Sequence, residues 1–301
     1  MMRIKSIISG AVIVTVAIIM TTVISNTALA QSASASSVGT NSSIKPMSDQ
    51  EFKALSAQED AKVNQMISDS VQAQYEKMKA NGTIPVLGSK SVSSLAQSAP
   101  FLKAGSMWTM TGSANSGLSD SDTWGSFIPV IGTPQTQQYA SPYSSPPQAG
   151  AYSFCNNYGW GGCDSWAWIG YTFTFPSSGY NGQSVQWSVP ISWLGAFVEA
   201  GASHGYADIS YCVRDNTAQT DYPSTTVKSW DANMISISGI TGSENFAAIP
   251  LNLYAGHSYT FYVKLFVKSE ITGYSLGSMS DWYSSTGGLH IEGPFTIWGY
   301  N

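Results

Sequence analysis

Apolar residues recur at three- and four-residue steps between residues 47 and 82. The stripe consists of Phe52, Leu55, Val63, Met66, Ile67, Val71, Tyr75 and Met78. This spacing predicts one amphipathic helix within 47–82. Ser48 followed by Glu51 is typical of a capping box, and Gly82 is a residue type that ends helices. Three alternatives exist for the apolar face. It packs against the following domain, it packs against a second copy of the chain in a homo-oligomer, or it has no partner because the helix is removed as a pro-segment.

From about residue 83 the apolar period changes to two. Examples are Val185, Trp187, Val189, Ile191 and Trp193, and then Tyr259, Phe261, Val263, Leu265 and Val267. Alternation predicts strands with one buried face, and turn residues rather than helical runs separate them. We therefore expect a mainly β fold over 83–301, an antiparallel Greek-key or jelly-roll-like β-sandwich preceded by one helix. The Pro/Ser/Gln-rich stretch 133–150 is expected to be a loop, and Pro190 to mark a sheet edge or bulge.

The seven residues LYAGHSY, 253–259, bear on the topology of this sandwich. They resemble the Leu-x-Pro-Gly-x-x-Tyr corner of fibronectin-type and other Greek-key sandwiches, with Ala255 at the usual proline position. In that corner the tyrosine hydroxyl is tied to the backbone a few residues upstream. The resemblance implies that Tyr259 secures a crossover between two sheets. It implies nothing about function.

The first thirty residues have the pattern of an export signal. Arg3 and Lys5 precede an apolar run over 7–24, and a small-x-small motif ends at Ala30. We predict a signal peptide over 1–30 that is cleaved after Ala30, although the apolar run is also long enough for an uncleaved anchor. The Ser/Ala/Thr-rich composition of 31–46 predicts disorder. The mature chain is then secreted or held at the cell surface, with no further membrane span.

Composition narrows the classes of partner. Of the 301 residues only 10% are charged, and the net charge is −5, or −7 once Arg3 and Lys5 are removed. A chain without a basic footprint is not expected to bind nucleic acid. Its surface must be covered by uncharged polar residues and tyrosine, which suits an extracellular environment. Three cysteines in an exported chain predict one disulfide and one remaining thiol.

The stretch CNNYGWGGCDSWAW, 155–168, is the most unusual in the chain. Cys155 and Cys163 are too far apart for a CxxC redox centre, so we predict a disulfide that closes a loop between them; a bridge from Cys212 is the alternative. Aromatic faces beside amides and a carboxylate suit sugar rings. The expected ligand-binding residues of this loop are Asn156, Asn157, Tyr158, Trp160 and Asp164. In the other interpretation, the two rings pack back onto the end of the sandwich.

Three further sets of residues are candidates for chemistry. GYSLG at 273–277 matches a nucleophile elbow, and Asp281 and His290 follow Ser275 in hydrolase order, but the next residues have a loop pattern and no helix. For zinc the candidate ligands are His204, His257, His290 and Glu292, although their spacing does not predict a common site. For structural calcium they are Asp120, Asp122 and Asp164.

The sequence thus predicts a secreted or cell-surface, non-catalytic module that binds carbohydrate or cell-envelope material. No cofactor is expected beyond a structural calcium ion. Two alternatives stay open at this point. One is a self-assembling extracellular surface protein, and the other is a secreted serine-type hydrolase made as a pre-pro-protein.

Overall fold

The computed structural model describes residues 47–86, 107–127, 134–176, 183–233, 236–245, 247–283 and 287–300. The predicted signal peptide and the low-complexity segment 31–46 lie outside these ranges. Helix α1, Asp49–Ala80, is followed by strands that all pair antiparallel. The strands are β1 Met107–Gly112, β2 Ser116–Phe127, β3 Gln135–Ser141, β4 Gln148–Thr174, β5 Gln183–Ser188, β6 Ile191–Asp215, β7 Thr220–Asp221, β8 Thr225–Asn233, β9 Ser236–Glu244, β10 Leu251–Leu253, β11 Ser258–Trp282, β12 Gly288–Ile291 and β13 Phe295–Tyr300.

Two sheets form a sandwich, and α1 covers the outer face of the larger one. The smaller sheet has the order β1-β13-β5-β10. The larger sheet is built around β11, which lies between β4 and β6. Beyond the end of β11, strand β12 lies between β4 and β6 instead. Strands β2 and β3 extend the sheet beyond β4, and β7, β8 and β9 extend it beyond β6. The predicted mainly β class, the antiparallel pairing and the single preceding helix are confirmed.

The alternating pattern identifies the buried face of the strands. In β11 the five predicted apolar positions from Tyr259 to Val267 have no exposed surface and lie in the core between the sheets. The alternating run 184–193 is, however, divided between the two sheets, because β5 ends at Ser188 in the smaller sheet and β6 begins at Ile191 in the larger one. Proline lacks an amide hydrogen, so Pro190 suits this crossover. Both halves of the run still bury their apolar side chains, since the two sheets face one core.

The predicted loop at 133–150 is wrong in part. It contains strand β3, which pairs with the start of β4 to form a hairpin. The prolines that suggested a loop, Pro142, Pro146 and Pro147, fall in the turn of this hairpin or beside it. The polar composition therefore belongs to an edge strand, whose side chains are mostly partly exposed.

The tyrosine corner is present. Strand β10 belongs to the smaller sheet and β11 to the larger, so residues 254–257 carry the chain between them. The Tyr259 hydroxyl accepts a hydrogen bond from the Tyr254 amide, 2.7 Å away. Gly256 turns the chain with φ of +78°, in the left-handed region that favours glycine. The resemblance to Greek-key corners predicted the right connection.

The larger sheet folds inward on itself along a line that we call the crease, formed by residues 155–163 of β4, 199–205 of β6 and 269–278 of β11. Serine side chains join its two halves. The hydroxyls of Ser153 and Ser269 are 2.8 Å apart, and Ser280 donates to the Lys268 carbonyl over 2.9 Å. Small side chains are common between the facing strands, and the larger Glu199 and Ile271 are buried among them. Larger rings such as Trp282 and Phe197 fill the gap where it widens.

Helix α1 packs across the outer face of the larger sheet. Its apolar residues Val63, Ile67 and Val71 contact a cluster that includes Trp166 and Trp168. The predicted capping box between Ser48 and Glu51 is formed. Of the three partners considered for the apolar stripe, the structure shows the chain's own domain. Within the described ranges, no helix has the length and apolarity needed to cross a bilayer.

Gly161 provides a test of the crease. A Cβ at this position would lie 2.3 Å from the Trp124 carbonyl oxygen, and its φ is +138°. We expect Gly161→Ala to lower the free energy of unfolding by about 1–3 kcal/mol through backbone strain alone, with the steric clash adding to this. The matched control is Gly239→Ala, because a Cβ at Gly239 meets nothing within 4 Å. Urea unfolding of both variants measures the difference; equal stabilities would contradict the description of the crease.

Candidate functional site

A cavity of about 860 Å³ lies between the first half of α1 and the outer face of the larger sheet, beside the crease. We call it the helix–sheet cavity. Residues that line it include Phe52, Ser56 and Asp60 of α1 and His204, Lys268 and Glu270 of the sheet. Its volume falls within the range of about 300–1,000 Å³ that is usual for small-molecule sites.

Lys268 joins the helix to the sheet in this cavity. Its Nζ lies 2.9 Å from an Asp60 carboxylate oxygen and 3.1 Å from Oε1 of Glu270, and it donates a hydrogen bond of 3.0 Å to the Ser56 hydroxyl. Burial acts to lower the pKa of Lys268, but the negative charges of Glu270 and Asp60 outweigh it and raise the pKa. The ammonium group is therefore charged and held by three partners.

Glu270 is the acceptor at the centre of the network. The carboxylate is buried, and it accepts hydrogen bonds from Ser56 Oγ at 2.6 Å and from His204 Nδ1 at 3.1 Å. Burial acts to raise the pKa of Glu270, but the hydrogen bond from His204 and the charge of Lys268 lower it below its ordinary value. Glu270 is consequently ionised at neutral pH.

His204 bridges two carboxylates. Besides its contact with Glu270, its Nε2 lies 2.5 Å from Oδ1 of Asp231. The hydrogen bond with Glu270 raises the pKa of His204; burial opposes this, and Asp231 adds to it. Both ring nitrogens can donate at once only when the imidazole is protonated. The charged ring thus links β6, β8 and β11 at the wall of the cavity.

Two buried acids lie near this network. Asp164 has no exposed surface, and one of its oxygens lies 3.2 Å from the Trp124 indole nitrogen. Glu199 lies on the inner side of the crease, with Oε1 3.1 Å from the Ser278 hydroxyl. Burial raises the pKa of each acid to about 8, against an opposing effect of Lys268 on Asp164 and of hydrogen bonds from Ser203 and Ser278 on Glu199. Both acids hold a proton at neutral pH.

The predicted glycan loop is a strand. Residues 155–164 lie inside β4, and 155–163 are its share of the crease. The side chains of Asn156, Asn157 and Tyr158 lie outside what the structure describes, Trp160 is partly exposed, and Asp164 is buried against Trp124. Gly159 and Gly161 lie so close to the backbone of the neighbouring strand β2 that a side chain would clash, which gives the same sequence pattern as a turn.

Cys155 and Cys163 are buried free thiols on the inner side of the crease. The Cys163 sulfur lies 3.3 Å from the Phe154 carbonyl oxygen, and burial, together with the neighbouring Cys155, raises the pKa of this thiol. Their predicted disulfide stays a prediction. Cys212 packs on the outer face and stands opposite Tyr262 of β11. Cys163 stands opposite Ser269, seven positions further along β11. That is about 23 Å along a strand, far beyond the reach of a disulfide.

The structure does not bring the hydrolase residues together. Ser275 donates to the Ala200 carbonyl over 2.8 Å. Ser275, Asp281 and His290 stand opposite positions 201, 196 and 192 of β6. The straight part of β6 between 192 and the start of the crease at 199 alone extends about 23 Å, which keeps Ser275 and His290 apart. The GxSxG match arises within β11, where glycine and serine serve the crease.

The metal candidates are also distributed over the fold. Asp122 accepts from Lys62 at 2.5 Å, Asp120 accepts from the Ser121 amide, and His257 contacts Asp215. Among the described residues, no group of three or more His, Cys, Asp or Glu side chains is arranged to hold a metal ion. The calcium site stays a prediction.

Sequence reasoning missed Asp60, Lys268 and Glu270. The charges at 264, 268 and 270 alternate with the apolar residues of β11, which places them on the opposite face. That pattern could have indicated a polar contact between β11 and a neighbouring element. It could not have identified α1 as that element, because docking of the helix depends on contacts that are distant in sequence.

Comparisons with known proteins give no family. No protein-family model matches the chain, and no curated protein does. A family 11 carbohydrate-binding module from Clostridium thermocellum, solved with a β-1,3-1,4-mixed-linked tetrasaccharide, is 7% identical with a TM-score of 0.21, over 58% of this chain and 88% of that one. A carbohydrate-binding module of the β-sandwich superfamily, described for its promiscuous specificity, is 11% identical with a TM-score of 0.20. The match covers 59% of this chain and 55% of that one. Tailspike protein 4 of bacteriophage CBA120 is 11% identical with a TM-score of 0.18, and the match covers 62% of this chain and 19% of that one. At such TM-scores the comparisons carry no argument.

The buried acids predict that the protein is more stable at acidic than at neutral pH. Between about pH 4 and pH 8 the unfolded chain releases the protons of Asp164 and Glu199, whereas the folded chain keeps them. The free energy of unfolding therefore falls as pH rises, by up to about 1.4 kcal/mol per pH unit for each group. His204 acts in the same direction, since its raised pKa gives stability that is lost at higher pH. Glu270 acts oppositely, but only near and below its ordinary pKa of 4.5.

Urea unfolding between pH 5 and pH 8 measures this slope. The double variant Asp164→Asn, Glu199→Gln should show a smaller slope, and Glu244→Gln on the exposed strand β9 serves as the control. Stability that is constant or rises with pH would contradict the assignment of these two acids as protonated.

Proposed function

We propose that the protein is an exported, non-catalytic module that binds carbohydrate or cell-envelope material in the helix–sheet cavity. The observation that carries this proposal is the composition of the cavity wall. Hydroxyl, amide, carboxylate, imidazole and ammonium groups stand beside apolar surface from Phe52, Ala57 and Ala202. A sugar presents hydroxyl groups around C–H faces, so a wall of this mixed character suits it.

The polar groups are held in place before any ligand arrives. Lys268, Glu270 and His204 fix one another, and Asp60 and Asp231 hold the two ends of the network. A fixed donor or acceptor loses little conformational entropy when a ligand binds, which favours affinity. Asn233 supplies both donor and acceptor at the rim.

The charges of the wall support an uncharged ligand. Three carboxylates, Asp49, Asp60 and Glu270, face three basic groups, Lys53, Lys268 and protonated His204. The sum is close to zero, so the cavity offers no excess charge to a phosphate or an amine. A neutral sugar unit satisfies the hydrogen bonds without leaving a charge unpaired.

The crease segment of β4 is the second surface in this proposal. Trp160 is partly exposed and follows the predicted residues Asn156, Asn157 and Tyr158. Export would also place Cys155 and Cys163 in an oxidising environment, where the predicted disulfide would join the two halves of the crease.

The proposal predicts retention of the full chain on at least one member of a panel of soluble and insoluble polysaccharides. Ala202→Trp fills the cavity and should abolish retention; Ala247→Trp, at an exposed alanine outside the cavity, is the matched control. Circular dichroism verifies that each variant is folded. Trp160→Ala tests the second surface: loss of retention there, with Ala202→Trp unaffected, would move the site to the crease segment. A wild-type chain that no polysaccharide retains would contradict the proposal.

A further inference from the structure

We infer that the ligand is a linear chain of sugar units that continues from the helix–sheet cavity into a second, smaller cavity beside α1. This inference rests on the proposed function. The second cavity has a volume of about 360 Å³. It shares three lining residues, Asp60, His204 and Lys268, with the larger one. The two cavities adjoin at these residues, and we call them together the groove.

The groove follows the helix. Its α1 residues run from Asp49 to Asp60 in the first cavity and continue to Asn64 in the second. On β11 the first cavity spans 268–272 and the second 264–268. Residues 49 to 64 of a helix extend about 22 Å. A groove of this length suits several linked units better than one ring.

The second cavity repeats the chemistry of the first. Lys264 pairs with Asp208 at 3.3 Å, as Lys268 pairs with Asp60. Apolar surface comes from the rings of Tyr206 and Phe266, whose centroids are 6.1 Å apart. Asn64 adds an amide at the rim. The same mixture of paired charge, amide and apolar surface suits a second unit of the same kind.

The Lys268–Asp60 ion pair marks the boundary between the two cavities. Both side chains line both cavities, and the Asp60 side chain is 41% exposed, so it reaches the open side of the groove. We therefore expect one part of the ligand on each side of this pair, with a glycosidic linkage passing over it. A single sugar would occupy the larger cavity alone.

Titration calorimetry on the full chain tests the inference. The probes are cello-oligosaccharides of increasing length and, in parallel, fragments of equal lengths prepared from the polysaccharide that the chain retains. Affinity should rise about tenfold once the fragment reaches the second cavity, which corresponds to one or two added hydrogen bonds. Tyr206→Ala should remove this rise and leave the affinity for short fragments unchanged. Tyr143→Ala, at an 80% exposed tyrosine, is the control.

Asn64→Ala gives an independent reading, because Asn64 is exposed on α1 and its loss does not threaten the fold. Equal affinity for all fragment lengths would overturn the inference and leave the proposed function standing. The same conclusion follows if the Tyr206 and Asn64 variants weaken short and long fragments alike. If no polysaccharide is retained and no fragment binds, the proposed function fails and the inference fails with it.

Discussion

The fold of the larger sheet onto itself is the constraint on which the rest of the structure depends. Three long central strands bend at one level, and the inner faces meet where Ser153, Ser269 and Ser280 bond across the gap. On the outer face of the crease, His204 and Glu270 stand opposite each other on adjacent strands. The candidate site therefore adjoins the crease.

Helix α1 completes the site by providing its second wall. Apolar packing holds the middle of the helix. In its first half Phe52 packs against Trp124, and Asp60 and Lys62 form ion pairs with the sheet. Burying the Lys268 ammonium group costs solvation free energy, so its ion pair with Asp60 fixes position and orientation more than it adds stability. The groove remains open because polar pairs, spaced along β11, replace the close packing found under Val63 and Val71.

Local pattern predicted the parts of this fold that local physics determines. The helix, its cap, the buried face of β11 and the tyrosine corner each depend on residues close in sequence. The crease could not be recognised, because glycine and asparagine at 155–163 give the same pattern whether a chain reverses or runs close against another strand. For Lys268 and Glu270 the sequence pattern indicated only that they lie on a polar face of β11. Their contacts with Asp60 and Ser56 could not be predicted, because these join positions more than 200 residues apart.

The central claim is that the ligand lies in the groove between α1 and the folded sheet. Hydrogen–deuterium exchange of the full chain, with and without fragments of a retained polysaccharide, tests it directly. The account predicts added protection in α1 over 49–64, in β6 over 201–208 and in β11 over 264–272. Protection confined to 155–164, or spread over the smaller sheet with none along α1, would contradict it.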